Sequence, residues 1–472
     1  TMIRLINCAA RYRPACWAAL ACLLIAAAGC SSPAARVDPT IPPGEPAEPS
    51  AEPAMETEQA ARQPGATAPA QDGKPEAPAS FGYTYHRPDG NRLVAGSGSL
   101  PDQTPLDIPL DGRPVWLVAA PAQAGSIWAA VLEDGRVEMY RVAGNQAVRL
   151  PAEPDRLPAG MPPLLMVEGD QPRLVVGPSP DSSPATHPVV LGAQPMKIAY
   201  IAENGDLVVR AEEEIARLPV NGLPDARILV DEQDRLLFLT DPTTRYDHGV
   251  LGDGIEAGSI TLVETLPEIK VLQKIIIDLP AVIEGIAPIW ADFDGDSQRE
   301  VIVTLSDASL GARVVVYAED GSQLAASAAF GSGYRWRNQL AAAPTAPGGG
   351  LELVDVLTPH IGGVVEFFRL VEGRLEIIAQ LAGVTSHVID TRNLDMGLAG
   401  DFDGDSRVEV LLPTQELTHL VAIQHTPGSA RLVWTLAAQG LISTNLAAVT
   451  HPDGAISLGI GTEDARLRIW GP

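Results

Sequence analysis

From about residue 81 onward the chain alternates short apolar runs with tight-turn signals. The run 127–132 (Ile-Trp-Ala-Ala-Val-Leu) meets Glu133-Asp134-Gly135 and resumes at 136–140. The run 198–202 meets Glu203-Asn204-Gly205-Asp206, and 314–318 meets Glu319-Asp320-Gly321. Asn-Gly and Asp-Gly between alternating apolar runs predict hairpins, because those residues accept the positive φ of the hairpin turns whose twist matches the strands. No run of 12 or more residues keeps a helical period. The pattern therefore predicts an all-β body of short, regularly spaced strands: a sandwich, a barrel or a propeller.

Internal repetition chooses among these. Arg337-Asn338-Gln339-Leu340, Arg392-Asn393-Leu394 and Thr444-Asn445-Leu446 place asparagines 55 and 52 residues apart. Each is followed by a loop and then a strand-like run, at 351–356, 408–412 and 455–460. A period near 50 suits a four-stranded propeller blade. Residues 81–472 then hold seven four-stranded blades, with six or eight as alternatives, closed by a strand near residue 85 or 110 pairing with 466–470. The repeat is clear in the C-terminal half, whereas residues 81–280 show hairpins only.

Two loops carry the sharpest chemistry. Asp292-Phe293-Asp294-Gly295-Asp296-Ser297-Gln298-Arg299-Glu300 recurs as Asp401-Phe402-Asp403-Gly404-Asp405-Ser406-Arg407-Val408-Glu409. Acids at positions 1, 3, 5 and 9 of a turning loop can offer a hard cation several oxygens, and calcium takes six to eight. The backbone carbonyls of Gln298 and Arg407, at position 7, are natural further ligands. Position 12 is Val303 or Leu412, within a strand-like run, so the loops are not EF-hands. The competing reading is that the acids cap tight turns and stay solvated.

A short acidic loop running into a strand resembles the FG-GAP and VCBS repeats of calcium-binding β-propellers. That resemblance covers two blade-sized repeats directly. It implies two Ca²⁺ sites, formed by Asp292, Asp294, Asp296, Gln298 and Glu300 and by Asp401, Asp403, Asp405, Arg407 and Glu409. Loops of that family commonly end in Asp, whereas both here end in Glu.

The N-terminal segment reads as a targeting device. Arg4, Arg11 and Arg13 precede a small apolar run, 15–28, that is too short to span a bilayer. The run ends in Ala27-Ala28-Gly29-Cys30, which resembles the lipobox of bacterial lipoproteins. That likeness implies removal of residues 1–29 and lipidation of Cys30. The remaining cysteines, at 8, 16 and 22, lie in the removed segment, so the mature chain has neither a disulfide nor a cysteine metal site. Residues 30–80 are rich in Pro, Ala and Glu without apolar periodicity, as expected of a disordered spacer. The sorting expected is the cell envelope, at the outer membrane or cell surface.

Charge narrows the partners. The full chain carries 33 basic and 59 acidic residues, a net charge of −26. Removing residues 1–29 takes three arginines and brings it to −29. Nucleic acid is thereby disfavoured as a partner. The segments Arg245-Tyr246-Asp247-His248 and Tyr334-Arg335-Trp336-Arg337 hold residue types that make binding hot spots, although aromatic–arginine packing also explains them. His360, in Thr358-Pro359-His360, reads as a turn residue. No His-Glu-x-x-His, phosphate-loop or Gly-x-Ser-x-Gly motif is present. The expectation is a non-enzymatic module that recognises protein or glycan. The rivals are a polymer-acting hydrolase or lyase using the central face, and an envelope assembly scaffold.

Overall fold

A computed structural model describes residues 79–192, 196–212 and 214–471. The signal segment, Cys30 and nearly all of the spacer lie outside the described residues.

The body is all-β and is a β-propeller. Its one helical turn among the described residues is a 3-10 turn at Leu100–Asp102. The hairpins form where the turn signals place them. Ser126–Leu132 pairs with Val137–Ala143 across Asp134-Gly135, and Gly135 takes a φ of +84° that its lack of Cβ permits. Consecutive antiparallel strands build four-stranded units over 114–150, 189–219, 229–276, 289–327, 337–382 and 398–437. A seventh joins 447–470 to Leu106–Pro109, whose register runs Leu106 opposite Ile469 and Pro109 opposite Arg466. That pairing is the expected closure, at the site near residue 110. A smaller sheet holds three strands, with Leu164–Glu168 between Ser80–Tyr83 and Gln171–Leu174.

The units pack face to face through apolar clusters, which is why most inner strands are buried along their length, whereas outermost strands such as Lys270–Ile276 and Ser429–Ala437 are largely exposed. Trp128 is fully buried between the first and last units. It fits because residue 459 is glycine: a Cβ there would lie 2.2 Å from the indole. Inner strands are also stitched by amides. Asn445 Oδ1 accepts the Leu117 N–H at 2.9 Å, and its Nδ2 donates to the Leu117 carbonyl at 2.7 Å. Asn338 Nδ2 donates to Ser386 Oγ at 2.9 Å and reaches the Leu394 carbonyl. The third repeat asparagine, Asn393, instead accepts the Asp395 N–H within its own turn.

Residues 80–97 run inside the ring, along the inner strands. Ser80–Tyr83 pairs with Leu164–Glu168, and Leu93–Ser97 pairs in parallel with Leu398–Asp401. Between them, the Pro88 carbonyl accepts from Val230, the Asp89 carbonyl accepts from Trp290, and Asn91 exchanges two hydrogen bonds with Ala342. Arg92 and Arg227 both clamp Asp395, at 2.7 and 2.6 Å, with all three side chains buried. Burial opposes ionisation of Asp395, but the two guanidiniums hold its carboxyl below the usual range. The propeller's centre is thus filled by its own chain.

Paired acidic loops and an aromatic–imidazole cavity

Each acidic loop turns between the innermost strand of its unit and the next strand. The first lies between Ile289–Ala291 and Glu300–Asp307, and the second between Leu398–Asp401 and Glu409–Pro413. The two fold alike. Asp292 accepts the N–H groups of Gly295 and Ser297 at 2.8 and 3.1 Å, and Asp401 accepts those of Gly404 and Ser406 at 2.8 and 3.3 Å. Glu300 accepts the Phe293 N–H at 2.6 Å, and Glu409 that of Phe402 at 2.9 Å. The turn-capping role expected of short acids is therefore realised in both loops.

The same folding converges three carboxylates per loop. Oxygens of Asp292, Asp294 and Glu300 lie within 4.8 Å of one another, as do those of Asp401, Asp403 and Glu409. Asp296 and Asp405 stand outside these trios and accept the N–H of Gln298 and Arg407. The loops' own arginines turn elsewhere: Arg299 reaches Asp89 and Glu232, and Arg407 reaches the His425 carbonyl. Burial, followed by the neighbouring acids, pushes Glu409 up to about 7, and burial also raises Glu300. An all-oxygen set of crowded carboxylates suits a hard cation, which would supply the missing positive charge. The second loop has more internal compensation. Ser97 Oγ donates to Asp401, Trp434 Nε1 to Asp403, and Gln424 Nε2 to both Glu409 and Asp405.

The two aromatic–arginine segments meet, although 86 residues separate His248 from Tyr334. Tyr334 stacks flat on His248, and Tyr246 packs edge-on to Tyr334 at 5.2 Å. Tyr246 is buried, its hydroxyl accepting the Arg335 N–H at 3.1 Å. Trp336 is buried too and stacks on His360, with centroids 5.6 Å apart. These segments wall a cavity of about 310 Å³, with Phe330, His360 and Ile361 completing the apolar rim. Phe330 also borders a second cavity of about 480 Å³ that reaches Ile377 and Leu381.

Not every residue named for this surface belongs to it. Arg245 donates Nε–H to the Ala281 carbonyl at 3.0 Å. Arg337 does not line the first cavity; it is largely buried beside Glu366 at the second, its Nη1 shared by Asp355 and Glu366 at 2.8 and 2.6 Å, because a guanidinium inside a blade must be paired. Asp247 is exposed and does not line the first cavity.

Sequence reading missed the polar layer behind the cavity. His248 Nδ1 contacts the carboxylate of Glu284, which is 1% exposed and whose Oε2 is buried without a partner. Burial raises Glu284, while His248 opposes that shift. Nearby Glu256 is pushed up to about 9 by burial and then by the charge of Glu284. His360 sits in the turn expected of it, but its Nε2 lies 2.6 Å from Nδ1 of His387, and His387 Nε2 lies 2.6 Å from the Thr391 carbonyl. The Thr358-Pro359-His360 turn was the one sequence signal. Nothing local to residues 256, 284 or 387 marked them.

No protein-family model matches the chain, and no curated protein matches it. Among solved structures, a europium-containing methanol dehydrogenase aligns over 82% of this chain and 97% of its own, at 8% identity and a TM-score of 0.52. The Dos1 propeller aligns over 78% of this chain and 95% of its own, at 8% identity and a TM-score of 0.40. At such identity the likeness speaks to fold alone, and the fold is the β-propeller.

Proposed function

We propose that this chain is a lipid-anchored envelope lipoprotein whose propeller acts as a non-enzymatic recognition module, stiffened by two calcium ions. The observation that carries the reading is the meeting of both aromatic–arginine segments at one cavity of about 310 Å³. Flat rings around a concave opening are the usual makings of a binding hot spot. The filled centre supports a site that lies off the axis. Asp292, Asp294 and Glu300 would hold one ion, and Asp401, Asp403 and Glu409 the other, as in the FG-GAP and VCBS repeats that the loops resemble. An exported location would suit this, because weak extracellular modules fill at millimolar calcium.

One observation favours the enzyme reading: the His248–Glu284 contact has the form of an oriented general base. A single experiment addresses both. The full chain in millimolar calcium is applied to immobilised envelope proteins and glycans, alongside Tyr334→Ala, with products assayed for cleavage. Tyr334-dependent retention without cleavage is expected. Cleavage of a polymer that is lost in His248→Ala overturns the reading.

A further inference from the structure

The recognition reading leaves the ligand open between protein and glycan, and the hydrogen-bond chain behind the cavity bears on that choice. A carbonyl oxygen can only accept, so His387 Nε2 carries the proton that bonds Thr391. Burial keeps the His387 ring neutral, so its Nδ1 is a bare lone pair. His360 Nε2 must then donate to that lone pair. His360 is neutral for the same reason, with burial and then His248 pushing it down to about 4. Its Nδ1 is therefore an acceptor, and its ring lines the cavity. On the opposite side, the Glu284 contact occupies His248 Nδ1 and leaves Nε2 as that ring's remaining polar atom.

The cavity thus joins aromatic faces to fixed polar nitrogens, and no carboxylate lines it. A cation would meet aromatic faces alone, with no carboxylate to pair it and the Arg335 guanidinium beside it. An anion would find one guanidinium, Arg335, already donating to the Tyr334 carbonyl at 2.6 Å, within a chain of net charge −26. An apolar side chain would leave the His360 lone pair desolvated and unpaired, at a cost. The ligand that satisfies all of these is an uncharged ring with apolar C–H faces and hydroxyl donors at its edge. Tyr334 and Ile361, 52% and 84% exposed, offer the stacking surface. Beyond Phe330, the second cavity gives a chain of such rings somewhere to continue.

Resting on the recognition reading, we propose that this cavity binds a neutral saccharide unit, with His360 Nδ1 accepting a ring hydroxyl, Tyr334 stacking on the sugar face, and the glycan chain extending past Phe330. The test uses the full chain in millimolar calcium. Glucose, galactose, mannose and N-acetylglucosamine, and their linear tetramers, are titrated by calorimetry and by tryptophan fluorescence. A library of unstructured peptides is tested in parallel. At least one neutral sugar should bind, more tightly as a tetramer than as a monomer. Tyr334→Ala and His360→Leu should each weaken it by about tenfold, the loss expected for one stacking or hydrogen-bonding partner. His360→Gln, which keeps an acceptor, should recover part of that loss, whereas a merely structural role for His360 predicts no difference between Leu and Gln in variants of equal melting temperature. Tyr334-dependent binding of peptides but not sugars overturns the saccharide inference and leaves the recognition reading standing. Absence of Tyr334-dependent binding to either class overturns both.

Discussion

Tyr334 lies flat on His248, with ring centroids 5.0 Å apart and planes within 7° of parallel. The pair joins a loop of the 229–276 unit to the segment entering the 337–382 unit, so the cavity wall belongs to two separate blades. Tyr334 is 52% exposed, and its removal opens no core void. Tyr334→Ala should therefore cost about 1 kcal/mol or less, the increment of an aromatic pair. Chemical denaturation at neutral pH checks this, and a loss above about 3 kcal/mol would show that the ring is structural.

The acidic loops make a prediction about metal. At calcium 100 times Kd, each occupied site should add about 2.7 kcal/mol of stability over chelator. Asp294→Asn and Asp403→Asn together should erase the difference between calcium and chelator while leaving the Asp292 and Asp401 turns intact. Ser97, Trp434 and Gln424 already compensate the second loop, so Asp294→Asn alone should remove the larger share. Equal melting temperatures in calcium and chelator for the wild type would refute calcium stiffening.

The Asn445 amide bridges the last unit to the first through both polar groups of Leu117, and both residues are buried. Asn445→Ala should cost about 2–4 kcal/mol, since it strands a buried N–H and a buried carbonyl. Asn393→Ala, which loses only a bond within its turn, should cost about 1 kcal/mol. Comparable losses in the two variants would mean that the ring closure is held elsewhere.

These contrasts show where the sequence is legible. Hairpins were readable because Asp-Gly and Asn-Gly act locally, and the acidic loops because the spacing of their acids is their geometry. The asparagine repeat marked equivalent blade positions, yet it could not tell Asn445, a bridge, from Asn393, a turn cap. The chain-filled centre left no trace, because residues 83–92 have no periodicity and their partners lie more than 70 residues away, from Leu164 to Asp395. The cavity was half legible. Its aromatic segments stood out, while Glu284 and His387 are placed by loops that become neighbours only when the ring closes.

Glu256 offers a test of the polar layer at alkaline pH. Its carboxyl rises from 4.5 to about 9 on folding, so the folded chain keeps a proton that the unfolded chain releases. The contribution to stability is full below 4.5 and is lost as pH rises toward 9. Glu256→Gln, neutral at every pH, should be more stable than the wild type at about pH 9, by a margin on the order of a few kcal/mol, and nearly equal at about pH 5. Parallel stability curves for the two proteins between those values would show that Glu256 ionises normally.

Acid should act through the histidines in the opposite sense. Burial pushes His360 from 6.5 to about 4 and His387 from 6.5 to about 3, and it likewise lowers His86 and His187, which packs on Tyr85, to about 4. Each is neutral when folded and takes up a proton more readily when unfolded. Their contribution is complete above 6.5 and drains away as pH falls toward 4, by about 2 kcal/mol per histidine at pH 5. Replacing His360 and His387 with Gln removes their two contributions, so the variant should lose about 4 kcal/mol less stability than the wild type between about pH 7 and pH 5. The comparison also bears on the cavity. If the double variant loses as much stability as the wild type, the two imidazoles are charged or solvated at neutral pH, and His360 Nδ1 is not the fixed acceptor that the saccharide inference requires.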